Sequence, residues 1–188
     1  VPTVKWRSAM TLPRELSIRE INGELFLASS LIPEAQSLFS ETNQQVNFKS
    51  KKPYNVASRL GKINGLFSLE LKDVSLSDFS IVLSNAKGNE LLIGYDKNAN
   101  QYYIDRSRSG ITGFETGFAK KHIAPRISNS QKINLHLVVD KASVELFADD
   151  GLTVMTDIFF PEQPITEITI KPGKNEIAGK INYTSFKP

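Results

Sequence analysis

Histidine is the side chain best suited to general acid–base chemistry near neutral pH, and this chain has two histidines. His122 and His136 lie on different predicted elements. His136 falls on the polar side of its strand, where we expect an ordinary surface or half-buried imidazole. The chain has no cysteine, which excludes disulfides, thiolate metal sites and cysteine nucleophiles together. It also lacks the His-Glu-x-x-His, Gly-x-Ser-x-Gly and phosphate-loop patterns. The sequence therefore predicts no catalytic residue, no metal site and no cofactor.

One pair of adjacent carboxylates invites comparison with glycoside hydrolysis, which uses two such groups. Asp149 and Asp150 stand directly before Gly151, between two strand-like runs. Asp and Gly are the residues that tight turns favour. We therefore expect a solvated hairpin tip at this point rather than a catalytic pair.

The least generic polar run occupies residues 102–110. It offers four candidate sugar-binding residues, which are Tyr103, Asp105, Arg106 and Arg108. The tyrosine ring could stack against a sugar ring, and the charged side chains could form hydrogen bonds with its hydroxyl groups. The alternative is structural, because Asp105 beside two arginines can form a charge-assisted network that pins the end of a strand. We favour the structural interpretation, since no second aromatic wall is evident.

The elements that must position these residues are strands. Residues 133–161 contain three alternating runs and both connecting turns, which predicts a three-stranded meander with one buried face. Asn22 and Gly23 form the strongest short hairpin signal, and residues 33–39 are compatible with one short helix. Further strands are predicted over residues 16–21, 24–28, 45–48, 54–59, 66–71, 79–84, 90–95, 101–106, 165–170 and 180–186. A meander needs a second sheet to cover it, so we predict an all-β, two-sheet antiparallel sandwich of the concanavalin or lectin-like jelly-roll type.

Bulk properties exclude several partners. The net charge of +3 is the balance of 23 basic and 20 acidic residues scattered along 188 positions. The densest basic runs, at 49–52 and 120–122, are too short for a nucleic-acid footprint. No apolar run approaches the length of a membrane span, so we expect no membrane insertion.

Three segments, in order, resemble the C-terminal β-sandwich of glycoside hydrolase family 32, the invertases, levanases and inulinases. Residues 9–16, Ala-Met-Thr-Leu-Pro-Arg-Glu-Leu, are similar to the junction that closes the catalytic propeller. Residues 103–110, Tyr-Ile-Asp-Arg-Ser-Arg-Ser-Gly, resemble a motif in the middle of the sandwich. Residues 135–161, with Ser-Val-Glu-Leu-Phe at 143–147, resemble its final motif.

The resemblance implies a parent with an N-terminal five-bladed propeller that hydrolyses fructosyl bonds, followed by this sandwich. The family's three acidic catalytic motifs do not occur here, so no catalytic residue is carried over. Residues 1–20 are then the junction from the propeller and residues 21–188 the sandwich. The resemblance places an apolar contact with the propeller at Trp6, Met10 and Leu12.

Three functions remain open at this level. The first is an accessory domain that stabilises or orients the catalytic propeller of the same polypeptide. The second is an independent fructan-binding, lectin-like module, and the third is an assembly module that supplies a dimer interface. Fructans are polymers met outside the cytoplasm, so we expect an extracellular or periplasmic parent.

Overall fold

The computed structural model describes residues 1–5, 8–61 and 63–187, and nearly all of its regular structure is β-strand. Two short helices interrupt the strands, a 3₁₀-helix at Pro33–Leu38 and α1 at Ala57–Leu60. The strands, in chain order, are β1 (Arg14–Ile21), β2 (Glu24–Leu31), β3 (Phe39–Ser50), β4 (Tyr54–Asn55), β5 (Phe67–Ser75), β6 (Phe79–Ser84), β7 (Glu90–Asp96), β8 (Gln101–Arg108), β9 (Lys121–Pro125), β10 (Lys132–Val139), β11 (Ser143–Ala148), β12 (Thr153–Ile158), β13 (Glu167–Pro172) and β14 (Ile177–Phe186).

Two six-stranded antiparallel sheets make up the body of the chain. The first sheet has the order β12-β11-β10-β5-β14-β3, and the second has the order β4-β13-β6-β7-β8-β9. One contiguous apolar core joins alternate residues of both, such as Leu69 and Leu137 of the first sheet and Ile81 and Ile93 of the second. The predicted two-sheet antiparallel sandwich is confirmed.

The meander β10-β11-β12 is buried on both faces at its centre, and this differs from the single buried face that the sequence predicts. Its inner face joins the main core through Leu137 and Leu146. On the outer face, Val138 and Phe147 form a second apolar cluster with Phe39. This outer cluster is covered by four partly buried side chains, which are Leu12, Leu31, Val154 and Phe186. Chain segments that precede the sandwich therefore fold back over the first sheet.

The β1–β2 hairpin forms a separate two-stranded sheet, as the Asn-Gly signal predicts. Asn22 and Gly23 both have positive φ, 55° and 82°, which is the type I′ geometry of a two-residue hairpin loop. The hairpin is fixed to the meander by a backbone hydrogen bond of 2.9 Å from the Ser29 N–H to the Gly151 carbonyl. A Cβ at Gly151 would lie 2.2 Å from the Ser29 carbonyl oxygen, so only glycine permits this approach. The predicted domain division after residue 20 falls inside β1 and stays a prediction.

Two local expectations differ from the structure. The strand predicted over residues 54–59 ends at Asn55, whose side-chain Oδ1 accepts a 3.0 Å hydrogen bond from the Ser58 N–H. Such a local bond favours a turn over a continued strand, and α1 follows. The basic run at 120–122 leads into β9, an edge strand that the sequence analysis did not predict.

Candidate functional site

The candidate platform Tyr103 is half-buried on the outer face of the second sheet. Tyr102, its neighbour, is fully buried on the inner face, as strand alternation requires. A Cβ at Gly94 would lie 2.5 Å from Cζ of Tyr103, so the ring lies directly against the glycine backbone. The Nζ atom of Lys121 lies 4.0 Å from the ring centroid. The ring is therefore held between a strand and a lysine.

The charged network proposed around Asp105 does not form, because Asp105 and Arg106 are consecutive strand residues and point to opposite faces. Arg106 reaches the other sheet instead, where its Nη1 lies 3.1 Å from Oδ1 of Asp157. Asp105 accepts a hydrogen bond from the Ser107 N–H, and Arg108 pairs at the surface with Glu90. Arg106 does pin its strand, but through a partner 51 positions along the chain.

The expectation that Asp149 is solvated at a hairpin tip is wrong. The Asp149 side chain is buried between the two sheets, where it accepts hydrogen bonds. Its Oδ2 accepts hydrogen bonds from the Tyr102 hydroxyl at 2.6 Å and from Arg126 Nε at 2.8 Å. Burial raises the pKa of Tyr102, and the Asp149 carboxylate raises it further, which keeps the hydroxyl protonated as a donor. Asp150, the next residue, is exposed.

A third buried carboxylate, Glu145, holds the segment before the hairpin against the meander. Its Oε1 accepts a 2.8 Å hydrogen bond from the Leu12 N–H, and its Oε2 pairs with Arg14. Leu12, one of the residues expected to contact another module, is partly buried against the outer cluster of this chain, and its contact with another module stays a prediction. Met10 is 98% exposed, and Trp6 lies outside the described residues.

Polar groups also converge in the space between the inner face of the hairpin and the outer face of the first sheet, which we call the hairpin cleft. It has a volume of about 530 Å³. Ser17 and Arg19 of the hairpin line one side, and Glu70, Asn134 and His136 of the sheet line the other. The sequence analysis did not find this site, because only the hairpin's return over the sheet brings these residues together.

Each polar group of the sheet wall is held by a neighbour. His136 Nε2 lies 2.8 Å from the Ser68 hydroxyl, and burial lowers the pKa of His136. Burial alone would raise the pKa of Glu70, but hydrogen bonds from Asn182 and Lys72 bring it below its ordinary value. The cleft thus presents a neutral imidazole beside a carboxylate at neutral pH. Among residues 1–5, 8–61 and 63–187, no group of three or more His, Asp and Glu side chains is arranged to hold a metal ion.

The opposite face of the hairpin is apolar and open to solvent. Ile18 and Leu27 are directly paired across the two strands and are 64% and 58% exposed. Leu16 and Leu25 lie on the same face and are also exposed. In the part of the chain that the structure describes, no helix is long and apolar enough to cross a membrane.

Comparison with known protein families tests the resemblance to glycoside hydrolase family 32 that the three sequence motifs indicate. A family model described as "Glycosyl hydrolases family 32 C terminal" matches residues 32–186. The chain belongs to this family. The match to this family 32 domain begins directly after β2 and covers both sheets of the sandwich.

The relatives of this family 32 domain are much longer proteins. A levanase from Bacillus subtilis (strain 168) is 30% identical over 169 residues, which are 87% of the chain and 25% of the levanase. An extracellular exo-inulinase from Aspergillus niger is 32% identical over 173 residues, which are 86% of the chain and 31% of the inulinase. The chain also covers only 18% of a levanase from Bacillus sp. (strain L7), to which it is 28% identical.

Solved structures show the same fold. The crystal structure of exo-inulinase from Aspergillus awamori superposes with a TM-score of 0.86 at 24% identity, over 100% of the chain and 37% of the inulinase. A β-fructofuranosidase from Schwanniomyces occidentalis superposes with a TM-score of 0.76 at 21% identity, over 100% of the chain and 42% of that enzyme. At these identities the likeness establishes the architecture.

Proposed function

We propose that this family 32 domain is a non-catalytic accessory module of a fructan- or sucrose-hydrolysing enzyme, and that it stabilises or orients the catalytic propeller of the same polypeptide. The names of the relatives, levanase and exo-inulinase, support the substrate class. Their length supports a second module, since the chain spans 31% or less of each. The word extracellular in the name of the Aspergillus niger relative supports an extracellular or periplasmic parent.

The observation that carries the proposal is the apolar outer face of the β1–β2 hairpin. Four aliphatic side chains, Leu16, Ile18, Leu25 and Leu27, are between 58% and 72% exposed on one face of a two-stranded sheet. A two-stranded sheet is marginally stable by itself, and contiguous exposed apolar surface marks an interaction site. The hairpin also precedes the residues that match the C-terminal domain. The catalytic module is therefore the partner that we assign to this face.

The catalytic half of the proposal is tested with the 188-residue chain alone. We expect no release of reducing sugar from sucrose, levan or inulin, because the three acidic catalytic motifs of the family do not occur in this sequence. The whole parent enzyme, assayed in parallel, serves as the positive control. Turnover by the isolated chain would overturn the proposal.

The docking half is tested in the whole enzyme with the double variant Ile18→Asn, Leu27→Asn. We expect a lower melting temperature and faster proteolysis between the modules, while the isolated chain, in which both side chains are solvated, keeps its stability. Ile123→Asn is the matched control, since Ile123 is 59% exposed on the edge strand β9 of the other sheet. Equal effects of the two substitutions would contradict the assignment.

The same variants distinguish docking from self-association. Sedimentation of the isolated chain at rising concentration should give a monomer. A dimer that the double variant converts to a monomer would assign the hairpin face to a second copy of the chain instead.

A further inference from the structure

We propose that the hairpin cleft binds a neutral oligosaccharide. This site is separate from the apolar docking face, because it lies on the other side of the same hairpin. Its existence rests on the geometry of the cleft. The choice of fructose oligomers as the first ligand rests on the proposed function.

The size and shape of the cleft suit a chain-like ligand. Its volume of about 530 Å³ lies within the range of small-molecule sites. A second cavity of about 260 Å³ shares Arg19, Asn134 and Asp150 with it and continues toward Ser128 and Ser130. The two cavities therefore adjoin at Arg19, Asn134 and Asp150, and we call them together the groove. Two adjoining cavities favour several linked sugar units over a single small molecule.

The charges of the groove favour a neutral ligand. In the hairpin cleft, Arg19 and Lys72 face Glu70, Asp73 and Asp150, and burial keeps His136 uncharged at neutral pH. The second cavity adds two acidic side chains, those of Glu20 and Asp149, and no basic one. The groove therefore lacks the excess of positive charge that a phosphate or a polyanion would require. A polyhydroxylated ligand is the class that uses donors and acceptors side by side, because every hydroxyl both donates and accepts.

The polar groups are also fixed before any ligand arrives. Glu70 Oε2 accepts 2.9 Å hydrogen bonds from Asn182 and Lys72, and Oδ1 of Asn134 accepts one of 3.0 Å from the Asp73 N–H. Fixed side chains cost little further ordering when a ligand binds. Leu31 and Phe147 add an apolar wall beside these groups, against which the C–H face of a sugar ring can pack.

The test is a ¹H–¹⁵N NMR titration of the 188-residue chain with fructo-oligosaccharides of three to five units, and with cello-oligosaccharides of the same length. We expect amide shifts confined to the hairpin and to the neighbouring parts of β5, β10 and the turn at Asp150. Shifts with either oligosaccharide support the site. Shifts with cello-oligosaccharides alone would retain the cleft and reject fructan as its ligand, leaving the accessory role untouched. Fixed shifts at 20 mM of both, or shifts centred on Tyr103 instead, would overturn the proposal.

Arg19→Ala identifies the groove, because Arg19 is exposed on the hairpin and its loss does not disturb the core. Losing its hydrogen bonds should weaken binding by about tenfold, the usual consequence for a charged donor. Glu70→Gln should weaken binding by a similar factor. Arg59→Ala is the matched control, since Arg59 is an exposed arginine of α1 that does not line the groove. Unchanged affinity in both groove variants would reject the site.

Discussion

The Nε atom of Arg126 lies 2.8 Å from Oδ2 of Asp149, and both side chains are almost completely buried at one edge of the sandwich. The Nη2 hydrogens of Arg126 are used as well, since Nη2 donates to the carbonyl oxygens of Ser130 and Lys132. Together with the Tyr102 hydroxyl, this ion pair joins the turn after β11 to the second sheet.

We expect Arg126→Met to lower the free energy of unfolding by about 3–5 kcal/mol, because it leaves the Asp149 carboxylate buried without its counter-charge. Urea denaturation followed by circular dichroism measures the change. Arg108→Met is the matched control, and the loss of its exposed pair with Glu90 should cost roughly 1 kcal/mol or less. A loss for Arg126→Met no larger than that of the control would show that the pair has no structural role.

We expect Gly151→Ala to release the hairpin from the meander, because the new Cβ would lie 2.2 Å from the Ser29 carbonyl oxygen. Hydrogen exchange should accelerate at the Ser29 amide and throughout β1 and β2, with little change in β5 and β10. Gly88→Ala controls for backbone strain, since Gly88 has a similar φ of 77° but no atom within 4 Å of the added carbon. Equal hairpin protection in the two variants would contradict the steric explanation.

Gly94 and Tyr103 should be energetically coupled. Gly94→Ala places a Cβ 2.4 Å from the Phe79 carbonyl oxygen and 2.5 Å from the tyrosine ring. We expect a strong destabilisation that Tyr103→Ala relieves only in part, because the clash with the carbonyl persists. A double-mutant cycle measures the coupling. Strictly additive losses would mean that the ring does not rest on the glycine.

Stability should fall as the pH is lowered below 6.5, because burial lowers the pKa of His136 in the folded chain. Between its folded pKa and the ordinary value of 6.5, the unfolded chain binds a proton that the folded chain does not. The contribution of His136 is therefore fully present above pH 6.5 and decreases through that window. Urea denaturation at several pH values from 7.5 to 5 measures the slope, which should be smaller in His136→Gln. An unchanged slope in the variant would show that another group is responsible.

The elements whose conformation is set by residues adjacent in the sequence could be predicted from the sequence. Asn22 and Gly23 set a two-residue hairpin by their backbone preferences alone, and alternation set the three strands of the meander. The prediction of a strand over residues 54–59 was wrong, because the side-chain amide of Asn55 accepts a local hydrogen bond that turns the chain after two residues.

The groups of the candidate site could not be predicted, since each depends on a partner far along the chain. In the sequence, Asp149 has only the features of a turn residue. Its buried partner, Arg126, lies 23 positions earlier in the chain and is brought to it by the fold. Arg19 and Glu70 meet across the hairpin cleft only because the hairpin folds back over the first sheet. Sequence patterns report which face a residue occupies, but not which distant segment covers that face.

The hairpin has two different faces, one toward the polar cleft and one toward solvent, and this gives it a role as a thermodynamic link. A two-stranded ribbon is only marginally stable by itself, so a molecule that binds either face further restricts the motion of the same two strands. A second molecule on the opposite face then meets strands that are already restricted and should bind more tightly. Linkage is reciprocal, so a module docked on Ile18 and Leu27 should strengthen sugar binding at Arg19, and sugar should tighten the docking by the same factor.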